Sequence, residues 1–259
     1  MKQKVSDYIA EYIAQWGIRD VFTVTGGGAM HMNDAFGHHK MLHCTYQHHE
    51  QACAMAAEAY ARLGNKMAAV CVTTGPGATN AITGVLGAWM DSIPMLVFSG
   101  QARYATTVSA SGLPLRSMGV QECNIVPVVK SLTKYAHMIV HPENIRYHLE
   151  KALYLAVNGR PGPVWLDIPL DVQGAVIETD DLKAYDPEEN PEQQPREIKD
   201  ETVEQILDKL QESKRPVLSP GNGVRLAGAH EDFYQLAELL GVPVVTGMSS
   251  VDAIESDHP

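Results

Sequence analysis

The run His48-His49-Glu50-Gln51 places one carboxylate at the opening of an alanine-rich segment, HEQACAMAAEAYARL. A carboxylate in a first helical turn is favoured by the helix dipole whatever else it does. From local pattern alone, then, Glu50 reads first as a capping charge and only second as an acid or base. His38, His39, His43, His48 and His49 crowd the same stretch. No H-E-x-x-H or comparable pairing occurs among them, so no metal site is expected. Two glycine-rich turns, Thr25-Gly26-Gly27-Gly28-Ala29 and Gly75-Pro76-Gly77-Ala78-Thr79-Asn80, can let backbone approach a ligand closely. The first is not a dinucleotide fingerprint, because His31 stands where the third glycine should be. The second lacks the G-K-[ST] ending of a triphosphate loop.

These residues need elements to hold them, and the apolar patterning supplies a parallel α/β arrangement. Val5, Ile9, Tyr12, Ile13 and Trp16 recur at helical spacing before Gly17. VFTVT (21–25), MAAVCVT (67–73), PMLVFS (94–99) and VWLDI (164–168) are short apolar runs without alternation. Such runs imply strands buried on both faces, and the helical stretches between them imply crossovers in a parallel sheet. Helices are expected over 49–63, from the end of the turn at 74–80 to about 90, and over 142–158. Both glycine turns then fall at carboxyl ends of strands, where open parallel sheets bind ligands.

The pattern predicts a first domain over 1–175 and a linker over 176–200, where DPEENPEQQPREIKD is poor in apolar residues. A partial second α/β domain follows over 201–259. In it, amphipathic helix over 201–213, helix over 229–240 and strands over 216–219 and 242–246 are expected. Two strands rarely make an independent sheet, so this second part reads as a truncated domain or one that packs on something else.

Bulk composition narrows the function. A net charge of −11 argues against nucleic-acid binding, which needs a basic face. No apolar run is long enough to span a bilayer, so no membrane role is expected. The opening MKQKVSDYIA reads as helix rather than as a targeting segment. Cys44, Cys53, Cys71 and Cys123 form no CxxC pair, which fits a cytoplasmic protein without structural zinc.

Taken together, HHEQACAMAAEAYAR, TTGPGATNAITGVLGAWMDSIPMLVFSGQ, VQE and NGRPGPVWLDIPLDV resemble, in order and spacing, the amino-terminal domain of the thiamine-diphosphate-dependent acetolactate synthase family. Weaker similarity to that family's central domain covers KRPVLSPGNGVRLAG and LAELLGVPVVTGMSSVDAIESDHP. The resemblance implies a fold, the pyrimidine-binding α/β domain followed by part of a second. It also implies a chemistry, carboligation or decarboxylation of 2-oxo acids such as pyruvate, with the cofactor supplying the reactive carbon. By the same resemblance Glu50 is the cofactor-activating carboxylate facing the aminopyrimidine ring, and Gln121 an active-site glutamine. Gly26, Gly27, Pro76 and Asn80 are implied cofactor contacts.

Some positions depart from the family. Val120 replaces its phenylalanine, Thr25 stands where relatives often carry proline, and Gly28 where they often carry alanine. The segment TVSASGLPLRSMG before Val120 is also unlike the usual family text. The loss of the aromatic ring leaves room for a carboligase or decarboxylase other than an acetolactate synthase. No G-D-G occurs, so the resemblance assigns Mg²⁺ and the diphosphate to a domain this chain lacks, and the chain alone is expected to be inactive. FAD, which some relatives bind mostly through the central domain, is left open. The implied assemblies are a homodimer or homotetramer. The alternative is a non-catalytic or split-enzyme subunit that pairs with a separate diphosphate-domain chain.

Overall fold

The computed structural model describes residues 1–194 and 197–258. Pro195 and Arg196, in the expected linker, and Pro259, at the end of the expected second domain, lie outside the described residues. The chain divides into two compact units, 1–193 and 194–259.

The first unit opens with a short strand β1 (Lys2–Lys4) and helix α1 (Val5–Trp16), followed by β2 (Asp20–Thr23), α2 (Met30–His38), β3 (His43–Tyr46) and α3 (Glu50–Gly64). Next come β4 (Ala69–Val72), α4 (Pro76–Asn80), α5 (Ile82–Met90) and β5 (Met95–Gln101). Two short helices, α6 (Val108–Ser111) and α7 (Ile125–Val129), precede β6 (Tyr135–Met138), α8 (Ile145–Val157), β7 (Pro163–Pro169), α9 (Leu170–Gly174) and β8 (Val176–Glu178). Six of these strands form one parallel sheet in the order β3-β2-β4-β5-β7-β6. β4, β5 and β7 are buried along their whole length, as their unbroken apolar runs require when helices cover both faces. Phe36 of α2 and Phe98 of β5 meet at 5.6 Å between ring centroids in the core.

Several elements differ from the sequence reading. The expected turn at 74–80 is itself helical from Pro76 as α4, and Ala81 separates it from the expected helix, α5. β3 and β6, the two edge strands, were not expected, because HCTY and YAHM are only half buried or exposed and carry little apolar signal. Part of the expected linker is packed on the first unit. β8 pairs antiparallel with β1, and Leu182 and Tyr185 are buried. Three or four well-placed apolar residues suffice to hold a segment whose overall composition is polar.

The second unit contains α10 (Asp200–Glu212), α11 (Gly223–Leu226) and α12 (His230–Leu240). Its two expected strands reduce to one parallel bridge, Leu218 to Val244. The amphipathic helix α10 buries none of its residues.

Candidate active site at the strand ends

The turn after β2, the turn after β4 and the last residue of β5 lie side by side, because β2, β4 and β5 are neighbours in the sheet. Glu50 opens α3 and faces the second turn. Its Oε2 accepts a hydrogen bond from Asn80 Nδ2 at 2.7 Å. Oε1 has no hydrogen-bond partner among the described residues, and Gly77 sits beside it. A Cβ built on Gly77 would stand 3.4 Å from that oxygen and 2.7 Å from the Thr73 side chain. Glycine therefore keeps a space open next to an unpaired carboxylate oxygen. The capping role suggested by position and the directed role suggested by the hydrogen bond coexist in one residue. Behind it Cys53 is buried, and burial, then the charge of Glu50, pushes its thiol up to about 12, so it is no nucleophile at neutral pH.

The glycine turns divide their work. Gly26 packs under Thr73, where a Cβ would fall 2.4 Å from Thr73 Cβ, and its N–H donates to Asn33 Oδ1 at 3.3 Å. Gly27 is exposed with open space around it, and the Gly28 N–H donates to Thr73 Oγ1 at 3.1 Å. Gly75 has a φ of 59°, and a Cβ there would lie 2.0 Å from the Gln121 carbonyl oxygen. Both the left-handed backbone and the close approach require glycine. That contact brings Gln121, itself at φ 55°, to the second turn. Pro76 is exposed at the first position of α4. Of the expected site residues, Glu50 and Asn80 touch directly, while Gly27 and Gln121 line a neighbouring cavity of about 360 Å³ that Glu50 does not reach.

Gln101, Asp167 and Glu122 are positioning residues that escaped the sequence reading. Gln101, the last residue of β5, accepts from Thr74 Oγ1 at 2.7 Å and donates to the Cys123 carbonyl at 2.8 Å and to Asp167 Oδ2 at 3.0 Å. It thus ties the second turn, the segment after Gln121 and β7 together. Asp167 is fully buried. Its Oδ1 accepts from Ser99 Oγ at 2.6 Å, and that oxygen in turn accepts from Trp165 Nε1 at 2.8 Å. Burial pushes the Asp167 carboxyl up to about 7, against the hydrogen bonds from Ser99 and Gln101 that favour its charged form. The available signal was a polar residue inside an otherwise apolar strand, in VFSGQ and VWLDI alike. Glu122 accepts from the Val108 N–H at 2.7 Å and from the N–H groups of Met118 and Gly119 at 2.9 and 3.0 Å. Burial alone would raise its pKa, but the three backbone donors outweigh that and hold it below the usual carboxylate range. This clasp ties the two ends of the 108–119 segment together beside Val120, which is 83% exposed.

Among the described residues no helix is long and apolar enough to cross a membrane, and no group of three or more His, Cys, Asp or Glu is placed to hold a metal ion.

The chain is similar to known proteins over nearly its whole length. Residues 3–111 match the thiamine pyrophosphate enzyme N-terminal TPP binding domain, and residues 203–259 match the thiamine pyrophosphate enzyme central domain. The chain is 34% identical to acetolactate synthase 2, chloroplastic, of Zea mays over 99% of its own length and 39% of the relative's. It is 32% identical to the acetolactate synthase large subunit of Lactococcus lactis, over 98% of this chain and 42% of that protein. A third relative, the acetolactate synthase large subunit of Corynebacterium glutamicum, is 34% identical over 92% of this chain and 36% of its own. The chain thus spans about two fifths of the length of these relatives.

Proposed function

We propose that this chain, which carries the N-terminal and central domains of the thiamine pyrophosphate enzymes, supplies the aminopyrimidine-binding half of an acetolactate synthase-like carboligase or decarboxylase of 2-oxo acids such as pyruvate. The observation that carries this reading is the Glu50 carboxylate, fixed through one oxygen by Asn80 and unpaired at the other beside Gly77. That arrangement fits a ring nitrogen that shares a proton with a carboxyl group. When bound, thiamine diphosphate supplies the carbon nucleophile that adds to the keto group.

This chain's residues bind and orient. Glu50 Oε1 would hold the proton that it shares with the ring nitrogen of the aminopyrimidine. Asn80 Nδ2 fixes the carboxylate plane, so the second oxygen keeps one direction. Gly77, Gly26 and the exposed ring of Pro76 leave and flank the space for a flat heterocycle. Gly27 and Gln121 border the cavity where the 2-oxo acid lies, and Gln121 directs its amide toward the substrate's oxygens. Mg²⁺ and the diphosphate belong to a domain outside these 259 residues, in the same or a partner subunit. FAD, where used, belongs with the central domain. A homo-oligomer and a cytoplasmic setting complete the proposal.

The test is C2 proton exchange of thiamine diphosphate, followed by NMR, in the assembled enzyme carrying Glu50→Gln. Loss of exchange with an unchanged unfolding midpoint is expected; exchange at the wild-type rate removes Glu50 from this role.

A further inference from the structure

The cavity beside the glycine turns has an unusual balance of charge. Its polar groups are largely committed. The Thr74 hydroxyl donates to Gln101, and the Gln101 amide is taken up by Cys123, Asp167 and the Ala102 N–H. The carboxylates that flank its wall are committed too. Asp171 accepts from the Tyr104 and Val172 N–H groups at 3.0 and 3.2 Å. Glu122 is occupied by its three backbone donors. The lining contains one full charge, Arg103. Its side chain is exposed and its guanidinium makes no hydrogen bond or ion pair among the described residues, in a chain of net charge −11.

The backbone that carries this cation is held on both sides. Residue 101 is tied into the sheet, the Arg103 carbonyl accepts from Thr106 N at 2.8 Å and from Thr106 Oγ1 at 2.9 Å, and Tyr104 N is anchored on Asp171. A guanidinium on a fixed stem, with no carboxylate of its own, is matched by a carboxylate ligand, which it can grip through two parallel N–H donors. The rest of the wall is apolar where it is contributed by Met30, Val120 and Leu170.

We infer that Arg103 is the anchor for the carboxylate of the 2-oxo acid, with Met30, Val120 and Leu170 receiving a small apolar side chain. The ligand class is monocarboxylic 2-oxo acids with an aliphatic substituent. A second carboxylate would meet Met30, Val120 and Leu170, whose side chains offer it no donor. This inference rests on the proposed 2-oxo acid chemistry for its ligand class, but not on Glu50 for its binding.

The experiment is titration of the 259-residue chain with pyruvate, 2-oxobutanoate, 2-oxoglutarate and the uncharged ester methyl pyruvate, read by saturation-transfer NMR. Arg103→Gln should weaken pyruvate and 2-oxobutanoate by about tenfold, the worth of one charge-assisted pair, and Arg103→Lys by less. Methyl pyruvate should bind weakly and equally to all three proteins, and 2-oxoglutarate more weakly than pyruvate. Because the side chain is exposed, the unfolding midpoints should coincide. No saturable pyruvate binding by the wild type, equal affinity in Arg103→Gln, or equal affinity for the ester would each overturn the inference. Wild-type C2 proton exchange in the assembled Glu50→Gln enzyme, with pyruvate binding still dependent on Arg103, would sink the Glu50 reading and leave this one standing.

Discussion

Asn80 donates its side-chain amide to Glu50 at 2.7 Å although thirty residues and a full strand separate them. The carboxylate at the head of α3 is therefore oriented by the helix that follows β4, not by its own helix alone. Removing the amide as Asn80→Ala should leave the fold intact, at a stability cost of about 1 kcal/mol. It should weaken thiamine diphosphate binding several-fold, because Glu50 regains rotational freedom. Denaturant unfolding and cofactor titration separate the two effects. Unchanged affinity would mean that the hydrogen bond only fastens two helices.

Gly75 and Gly27 should respond to the same substitution with very different magnitudes. Gly75→Ala puts a methyl group 2.0 Å from the Gln121 carbonyl in a left-handed backbone, and a loss of about 2–4 kcal/mol is expected. Gly27 faces open space at an ordinary φ, so Gly27→Ala should stay within about 0.5 kcal/mol of wild type in urea unfolding. Equal effects would contradict the contact between the second turn and Gln121.

Asp167 makes stability fall as pH rises. Its folded pKa, about 7, lies above the ordinary carboxyl value of 3.8, so the folded state binds more protons between those limits. Stability is fully present below about pH 4 on this account and declines up to pH 7, by at most about 4 kcal/mol. Asp167→Asn should flatten that slope in unfolding curves taken from pH 4 to 8. A slope that survives the substitution would assign it to other groups.

His148 acts in the opposite direction. Burial first, then the neighbouring His137 and Lys151, lower its pKa to about 4, and its Nδ1 lies 2.7 Å from the Tyr135 hydroxyl. The folded state keeps this ring neutral, so its contribution is intact above pH 6.5 and is lost as the pH falls from there toward 4. In His148→Gln that acid-side loss should shrink. Thermal unfolding between pH 4 and 7 measures it, and identical profiles would remove His148 from the account.

Glu122 should decide whether the two ends of the 108–119 segment stay tied together. In Glu122→Ala the amides of Val108, Met118 and Gly119 lose their acceptor, and hydrogen exchange at these three should accelerate while β5 remains protected. Protection unchanged at all three would show that the segment is held by other contacts.

Much of the site's framework was legible in the amino-acid sequence. The apolar runs of β4, β5 and β7 announced a sheet buried on both faces, and the two glycine turns and Glu50 were located at strand and helix ends by local punctuation alone. Their order and spacing carried the family resemblance. The edge strands β3 and β6 were illegible, because half-exposed strands need no apolar alternation to pair with a buried neighbour.

Sequence by itself determined which residues could be chemical and which segments had to be buried, since both depend on side-chain type and short-range periodicity. Only the tertiary structure decided which of them meet. The Gln101–Asp167 and Thr74–Gln101 hydrogen bonds, and the Gly75–Gln121 contact, join residues 66, 27 and 46 positions apart. Those distances are set by the sheet order β3-β2-β4-β5-β7-β6, in which crossover helices bring distant strand ends together. A local pattern reports the free energy of burying one segment, and it is blind to which neighbour that segment is buried against.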